Sequence, residues 1–144
     1  MRNKANDMTD SELLESLIHS TFHSAGFVLK SHRRVLPFCV QFYNAEDPHV
    51  DFYSPHEPQP QASFEEQFAV AEAKARKYAE RPETCALALV TEVSEGEQRF
   101  MIMQADTRTA VRVLRYPLRK TWLGWTIGKA EETRGLVVER LFVE

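Results

Sequence analysis

Leu13, Leu14, Leu17, Ile18, Thr21 and Phe22 recur at three- and four-residue intervals, the spacing that lines one side of an α-helix. Thr9 and Glu12 just ahead match a capping box, in which each side chain satisfies a backbone donor left open by the first turn. The pattern predicts a helix from about Asp10 to Ala25, with Gly26 as its C-terminal stop. Residues 1–8 are polar and read as a disordered tail. A second capping box, Ser63 with Glu66, precedes Phe64, Phe68, Ala71, Ala75 and Tyr78. These form the apolar stripe of a second helix, ended by Arg81 and Pro82. The small alanines imply that this helix lies close against a sheet.

Elsewhere the period is two. In VLPFCVQFY (35–43), Phe38, Val40 and Phe42 fall on one face and Cys39, Gln41 and Tyr43 on the other. NAEDP (44–48) has turn chemistry, and HVDFY (49–53) returns as the second strand of a hairpin. SPHEPQPQAS (54–63) is a connecting loop, because Pro55, Pro58 and Pro60 each remove a backbone donor. Beyond it, TCALALVTEV (84–93), QRFMIMQA (98–105), AVRVLRYPL (110–118), TWLGWTI (121–127) and LVVERLFV (136–143) read as a meander. The first two are joined by the Gly-bearing turn SEGE. Phe100 and Ile102 point opposite to Met101 and Met103, so that strand is central or faces a partner chain.

Connections this short pair neighbouring strands antiparallel. The expectation is an α+β domain over residues 9–144, in the order α-β-β-α followed by a β-meander. Two helices are expected on one face of a single, mostly antiparallel sheet of five to seven strands. The element order is similar to that of cone-shaped NTF2-like folds. That resemblance implies, as a fold-level alternative, a helix-lined pocket facing a curved sheet.

Composition narrows the function classes only a little. The 144 residues are 43% hydrophobic and 27% charged, as in ordinary globular domains, with a net charge of −3 that by itself implies no polyanion or membrane partner. No apolar run is long enough to cross a bilayer, and the polar N-terminus lacks the apolar core of a signal peptide. Cys39 and Cys85 lie in apolar strand-like runs and read as buried free thiols, which points to a reducing, cytoplasmic setting. There is no GxSxG elbow, Walker loop, GxGxxG, HExxH or CxxC motif, so no cofactor is expected.

Several residue groups carry candidate chemistry. His49 and Asp51 sit two apart on a strand and point the same way, as an acid/base pair requires. His56 and Glu57 follow on a loop that could fold back toward them, yet half of this set lacks a rigid element, so no metal site is expected. His19 and His23 pair at i,i+4 on the wet side of the first helix, with Glu12 and Glu15 nearby. Charge is segregated. Residues 35–73 hold no Lys or Arg but include Glu46, Asp47, Asp51, Glu57, Glu65, Glu66 and Glu72. Residues 107–130 hold no acid but include Arg108, Arg112, Arg115, Arg119, Lys120 and Lys129, interleaved with Tyr116, Trp122 and Trp125. Strand parity separates Arg108 and Arg112 from Arg115 and Arg119, which disfavours a continuous nucleic-acid track. The two blocks are expected to neutralise each other within the fold or across a dimer.

The expected function is a non-catalytic protein-binding or self-associating module. It would present Arg115, Tyr116, Arg119, Trp122 and Trp125 to an acidic protein partner or to a second copy of itself. The alternative is a small-molecule-binding protein or enzyme with His49 and Asp51 as its acid/base pair in a cavity between sheet and helices.

Overall fold

A computed structural model of the chain describes residues 9–43, 49–57, 60–133 and 138–142. The tail expected at 1–8 and the turn at 44–48 lie outside these residues. Helix α1 (Asp10–His32) begins as its capping box predicts, with the Thr9 hydroxyl accepting from the Glu12 N–H at 3.2 Å. It does not stop at Gly26. Ala25, Val28 and Leu29 continue its buried stripe, and packing of that stripe outweighs the modest helix penalty of one glycine. Arg33 closes it in the left-handed conformation at φ 60°, its N–H donating to the Leu29 carbonyl at 2.7 Å. Helix α2 (Phe64–Ala79) is capped by Ser63, whose hydroxyl accepts from the Glu66 N–H at 3.1 Å. Each cap contributes about 1 kcal/mol. No described helix is long and apolar enough to cross a membrane.

The strands are β1 (Phe38–Tyr43), β2 (His49–Tyr53), β3 (Thr84–Glu95), β4 (Gln98–Thr107), β5 (Val111–Thr121), β6 (Gly124–Ile127) and the short β7 (Glu131–Glu132). All pair antiparallel in the order β2-β1-β3-β4-β5-β6, with β7 joining β5 beyond β6. The α+β class, the element order and the central place of β4 are as the patterning predicts. The β3–β4 hairpin turns tightly through Gly96, whose φ of 63° suits a residue without Cβ.

The helices do not share a face. Phe38, Val40, Ala86, Ala88, Val90, Met101, Met103, Leu114 and Leu118 pack with α1. Their neighbours in the chain, Cys39, Leu87 and Leu89, pack with Ala71, Ala75 and Tyr78 of α2. Successive side chains of a strand point to opposite faces, so α1 and α2 cover opposite sides of the sheet. Parity forces the correction: β1 and β3 are apolar at both parities, and a single helical layer would leave Leu87 and Leu89 in water. Burying one such leucine is worth about 2 kcal/mol. The arrangement also departs from an NTF2-like cone, in which helices line one concave face.

The final strand expected over 136–143 is replaced by something else across its described part. Val138–Phe142 has no strand pairing. Central strand β4 is already flanked by β3 and β5, so the segment crosses its α2-side face instead. Asp106, fully buried on β4, accepts from the Leu141 N–H at 2.7 Å and from Arg140 Nε at 3.1 Å. Leu141 and Phe142 thereby complete the α2-side core.

Gly26 lies inside α1, and a Cβ added there meets nothing within 4 Å. Gly26→Ala is expected to raise stability by about 0.5–1 kcal/mol, measured as a shift in the urea unfolding midpoint at constant slope. A decrease would mean that the helix is broken at this point.

Candidate functional site

A buried carboxylate organises one end of the sheet. Glu92, on the α1 side of β3, accepts from the Val35 N–H at 3.0 Å and from Arg99 Nε and Nη2, each at 2.8 Å. Arg99 also donates to the Arg33 carbonyl at 2.9 Å, and its guanidinium lies 4.0 Å from the ring centre of Trp125. One arginine thus ties the end of α1, the β3–β4 pair and β6 together, and its charge is spent on Glu92. A buried, multiply bonded pair of this kind fixes geometry more dependably than it adds stability.

Around this anchor the chain collects cations that find no such partner. Lys30 and Arg33 come from the end of α1, where the helix dipole favours positive charge. Arg119 and Lys120 come from the end of β5. Among the described residues none of the four has an acidic side chain within ion-pairing distance. Thr121 and Gly124 pair across the β5–β6 hairpin, leaving Trp122 and Leu123 at its tip. The Thr121 hydroxyl donates to the Gly124 carbonyl at 2.8 Å and accepts from the Leu123 N–H at 3.2 Å, which fixes the turn. Trp122 is 92% exposed and Leu123 79%. Between this tip and the end of α1 lies a hollow of about 410 Å³, lined by Leu29, Lys30, Arg33, Lys120, Trp122 and Trp125 among others. A second hollow, of about 670 Å³, opens on the opposite side of β5 beside Arg115, Arg119 and Pro117.

The structure sorts the residues singled out in the sequence. Trp122, Trp125 and Lys120 are brought together, while Arg119 alternates onto the other face of β5. Trp122 sits on a hairpin tip, whereas TWLGWTI reads as one strand with its indoles on opposite faces; β5 in fact continues to Thr121 and the chain turns at Trp122–Leu123. Tyr116 is buried in the α1-side core and has no free surface for a partner. Arg115 is engaged by Glu131 at 3.0 Å and Glu95 at 3.7 Å. Arg112 pairs with Glu15 and Glu132. Among the described residues the basic block is paired with Glu15, Glu95, Glu131 and Glu132, none of which belongs to the acidic block at 35–73. Lys30 and Arg33 escape the sequence pattern because they lie beyond Gly26, where the helix is expected to have ended.

The HVDFYSPHE constellation does not converge. His49 and Asp51 alternate onto the α2 side of β2, since their register partners Tyr43 and Gln41 share the parity of Cys39. The Asp51 carboxylate accepts from Tyr78 Oη at 3.2 Å and from Gln41 Nε2 at 3.3 Å, and Gln41 accepts in turn from Thr84 Oγ1 at 2.8 Å. These bonds tether α2 to the sheet. Exposed His49 has its ring 5.4 Å from that of Tyr43. His56 instead meets His32 of α1, ring centres 4.7 Å apart, and its buried Nδ1 has no hydrogen-bond partner among the described residues. The neighbouring groove of about 350 Å³, lined by Phe27, Val28, His32, Phe52 and Glu57 among others, is on the α1 side, away from Asp51. His19 and His23 stack edge-on at 5.3 Å on the exposed side of α1. Among the described residues no group of three or more His, Cys, Asp or Glu side chains is arranged to hold a metal ion.

Cys39 is buried and Cys85 only half-buried, and in both the cost of burial outweighs the nearby positive charge, so neither thiol is activated as a nucleophile. Burial pushes Cys39 up to about 12, with Asp51 adding to the rise and Lys74 opposing it. Partial burial also raises Cys85, although Arg108 opposes it; this thiol is half-exposed and not buried as the apolar run implies. Comparison of the chain with protein-family models, curated proteins and solved structures returns no match.

The raised Cys39 value has a stability consequence. The folded state prefers the neutral thiol, so this contribution is complete below 9, the ordinary value of a thiol, and is lost as pH climbs from there toward about 12. The unfolding free energy is expected to fall across that window, and to fall less steeply in Cys39→Ala. Equal slopes for the two proteins would contradict the assignment.

Proposed function

We propose that this chain is a non-catalytic binding module whose β5–β6 hairpin and α1 terminus dock an acidic, leucine- or aromatic-bearing segment of a partner protein. The observation that carries the reading is the exposed Trp122–Leu123 tip held in a fixed turn beside Lys30, Arg33 and Lys120. Folding alone gives no reason to hold a tryptophan and a leucine in water, whereas a central apolar anchor with a charged rim is the usual anatomy of a protein-binding hot spot. The three cations supply steering and register, and the indole and leucine supply the desolvated contact. The cations cluster at one end of the sheet and do not form a track, which suits a short acidic segment better than a nucleic-acid backbone.

This reading supports no role for His49 and Asp51 in proton transfer, because the Asp51 carboxylate is committed to Tyr78 and Gln41.

Tryptophan fluorescence titration with an acidic peptide carrying one leucine tests the proposal. Trp122→Ala is expected to weaken binding by about 2 kcal/mol, about thirtyfold in Kd. Lys120→Glu combined with Arg33→Glu is expected to abolish binding, and wild-type affinity is expected to fall with added salt. Affinity unchanged in all variants, or selective binding of single-stranded oligonucleotides over the peptide, would overturn it.

A further inference from the structure

Three described residues have a positive φ: Gly96 at 63°, Gly124 at 124° and Arg33 at 60°. The two glycines serve hairpin turns, and a residue without Cβ takes such angles freely. Arg33 takes them at a cost, because its Cβ crowds the backbone carbonyl. The first position past a helix is where glycine most often fills this conformation, yet here it is an arginine. Its backbone is held from both sides. The Arg33 N–H donates to the Leu29 carbonyl at 2.7 Å, and its own carbonyl accepts from Arg99 Nη2 at 2.9 Å. The assembled fold therefore keeps the strain in place. It makes no use of the side chain. Adjacent Arg34 has its Nε 3.6 Å from Glu92 and its guanidinium 5.6 Å from the ring centre of Phe64. Exposed Arg33 has no ion pair, side-chain hydrogen bond or ring contact among the described residues, and it lines the hollow beside Lys30, Lys120 and Trp122.

From a strained backbone that carries an otherwise unused side chain, we infer that Arg33 is the specificity-determining residue of the hairpin-tip site. Its guanidinium pairs through two parallel N–H···O bonds with one carboxylate of the acidic segment. The inference rests on the acidic-partner reading proposed above and adds to it which group reads the partner's charge. A guanidinium presents two donors in one plane, matched to the two oxygens of a carboxylate, which the ammonium of Lys30 or Lys120 does not. Those two lysines add field around the hollow without that geometry. Hydrogen bonds on both sides of the Arg33 backbone fix the base from which the guanidinium reaches, so fewer torsions are left to order on binding. A glycine at this position would relieve the strain and remove the contact in one step. Stability and recognition therefore pull in opposite directions at Arg33.

Thermal unfolding and tryptophan fluorescence titration of the same variants test this. The probes are an acidic peptide carrying one leucine and its counterpart with every glutamate replaced by glutamine. Arg33→Gly is expected to raise the unfolding temperature by about 2 °C. It is also expected to bind the acidic peptide about tenfold more weakly, with the glutamine counterpart unaffected. Arg33→Asn, whose side chain tolerates the left-handed region, is expected to be at least as stable as the wild type and to bind as weakly as the glycine variant. Arg33→Lys keeps the charge without the fork and is expected to lose about fivefold. Wild-type affinity in all three variants would overturn the inference and leave the hairpin-tip reading standing. Stability and affinity lost together in the glycine and asparagine variants would make Arg33 a structural residue and overturn it too. A wild type that does not distinguish the two peptides would remove the acidic-partner reading and this inference with it.

Discussion

Ala86, Leu87, Ala88, Leu89 and Val90 are consecutive residues of one extended strand, and all five are buried. Neighbouring side chains of a strand point in opposite directions, so both faces of β3 must be roofed at once. Strand β1 imposes the same demand through Phe38, Cys39, Val40, Gln41 and Phe42. With two helices available, each takes one face. The long apolar side chains of α1 cover the broad side that runs from β1 to β5. The alanine stripe of α2 fits the narrower side over β1 and β3. The C-terminal segment then fills what α2 leaves open, drawn in by the buried Asp106 carboxylate.

Polar groups caught between these layers act as pins. Asp51 joins Tyr78 of α2 to Gln41 of β1, and Glu92 joins Arg99 to the segment following α1. Both carboxylates are answered by several donors, as burial requires. The difference between them bears on function. Asp51 is absorbed into packing, whereas the Glu92–Arg99 pair places Trp125 and the end of α1 beside the β5–β6 hairpin. The cations gathered there, Lys30, Arg33 and Lys120, are left over once the ion pairs among the described residues have formed. Their company with Trp122 and Leu123 is therefore a property of the assembled fold.

Much of the architecture is legible from local pattern. Capping boxes at Thr9 and Ser63 start both helices where they begin, and period-two runs locate β1 to β5 with their antiparallel order. Locally patterned features fail where a tertiary demand overrides them. Gly26 looks like a stop, but Val28 and Leu29 have a sheet to pack against, so α1 continues and carries Lys30 and Arg33 to the candidate site. LVVERLFV looks like a strand, but both edges of β4 are taken, so its described part lies across a face. The opposite placement of the helices was foreshadowed by the double-sided apolar character of β1 and β3; helix periodicity alone says nothing of which side a helix takes. The site itself was half visible: Trp122, Trp125 and Lys120 share a stretch of chain, while the turning away of Arg119, the surrender of Arg115 to Glu131 and Glu95 and the burial of Tyr116 depend on register.

The opposed helices can be tested most directly by nuclear Overhauser contacts from the methyl groups of two adjacent β3 residues. The Ala88 methyl is expected to show contacts to Leu14 and Leu17 of α1 and none to α2. The Leu89 methyls are expected to show contacts to Ala71 and Ala75 of α2 and none to α1. Contacts from both residues to the same helix would contradict the two-sided sheet and everything placed by it.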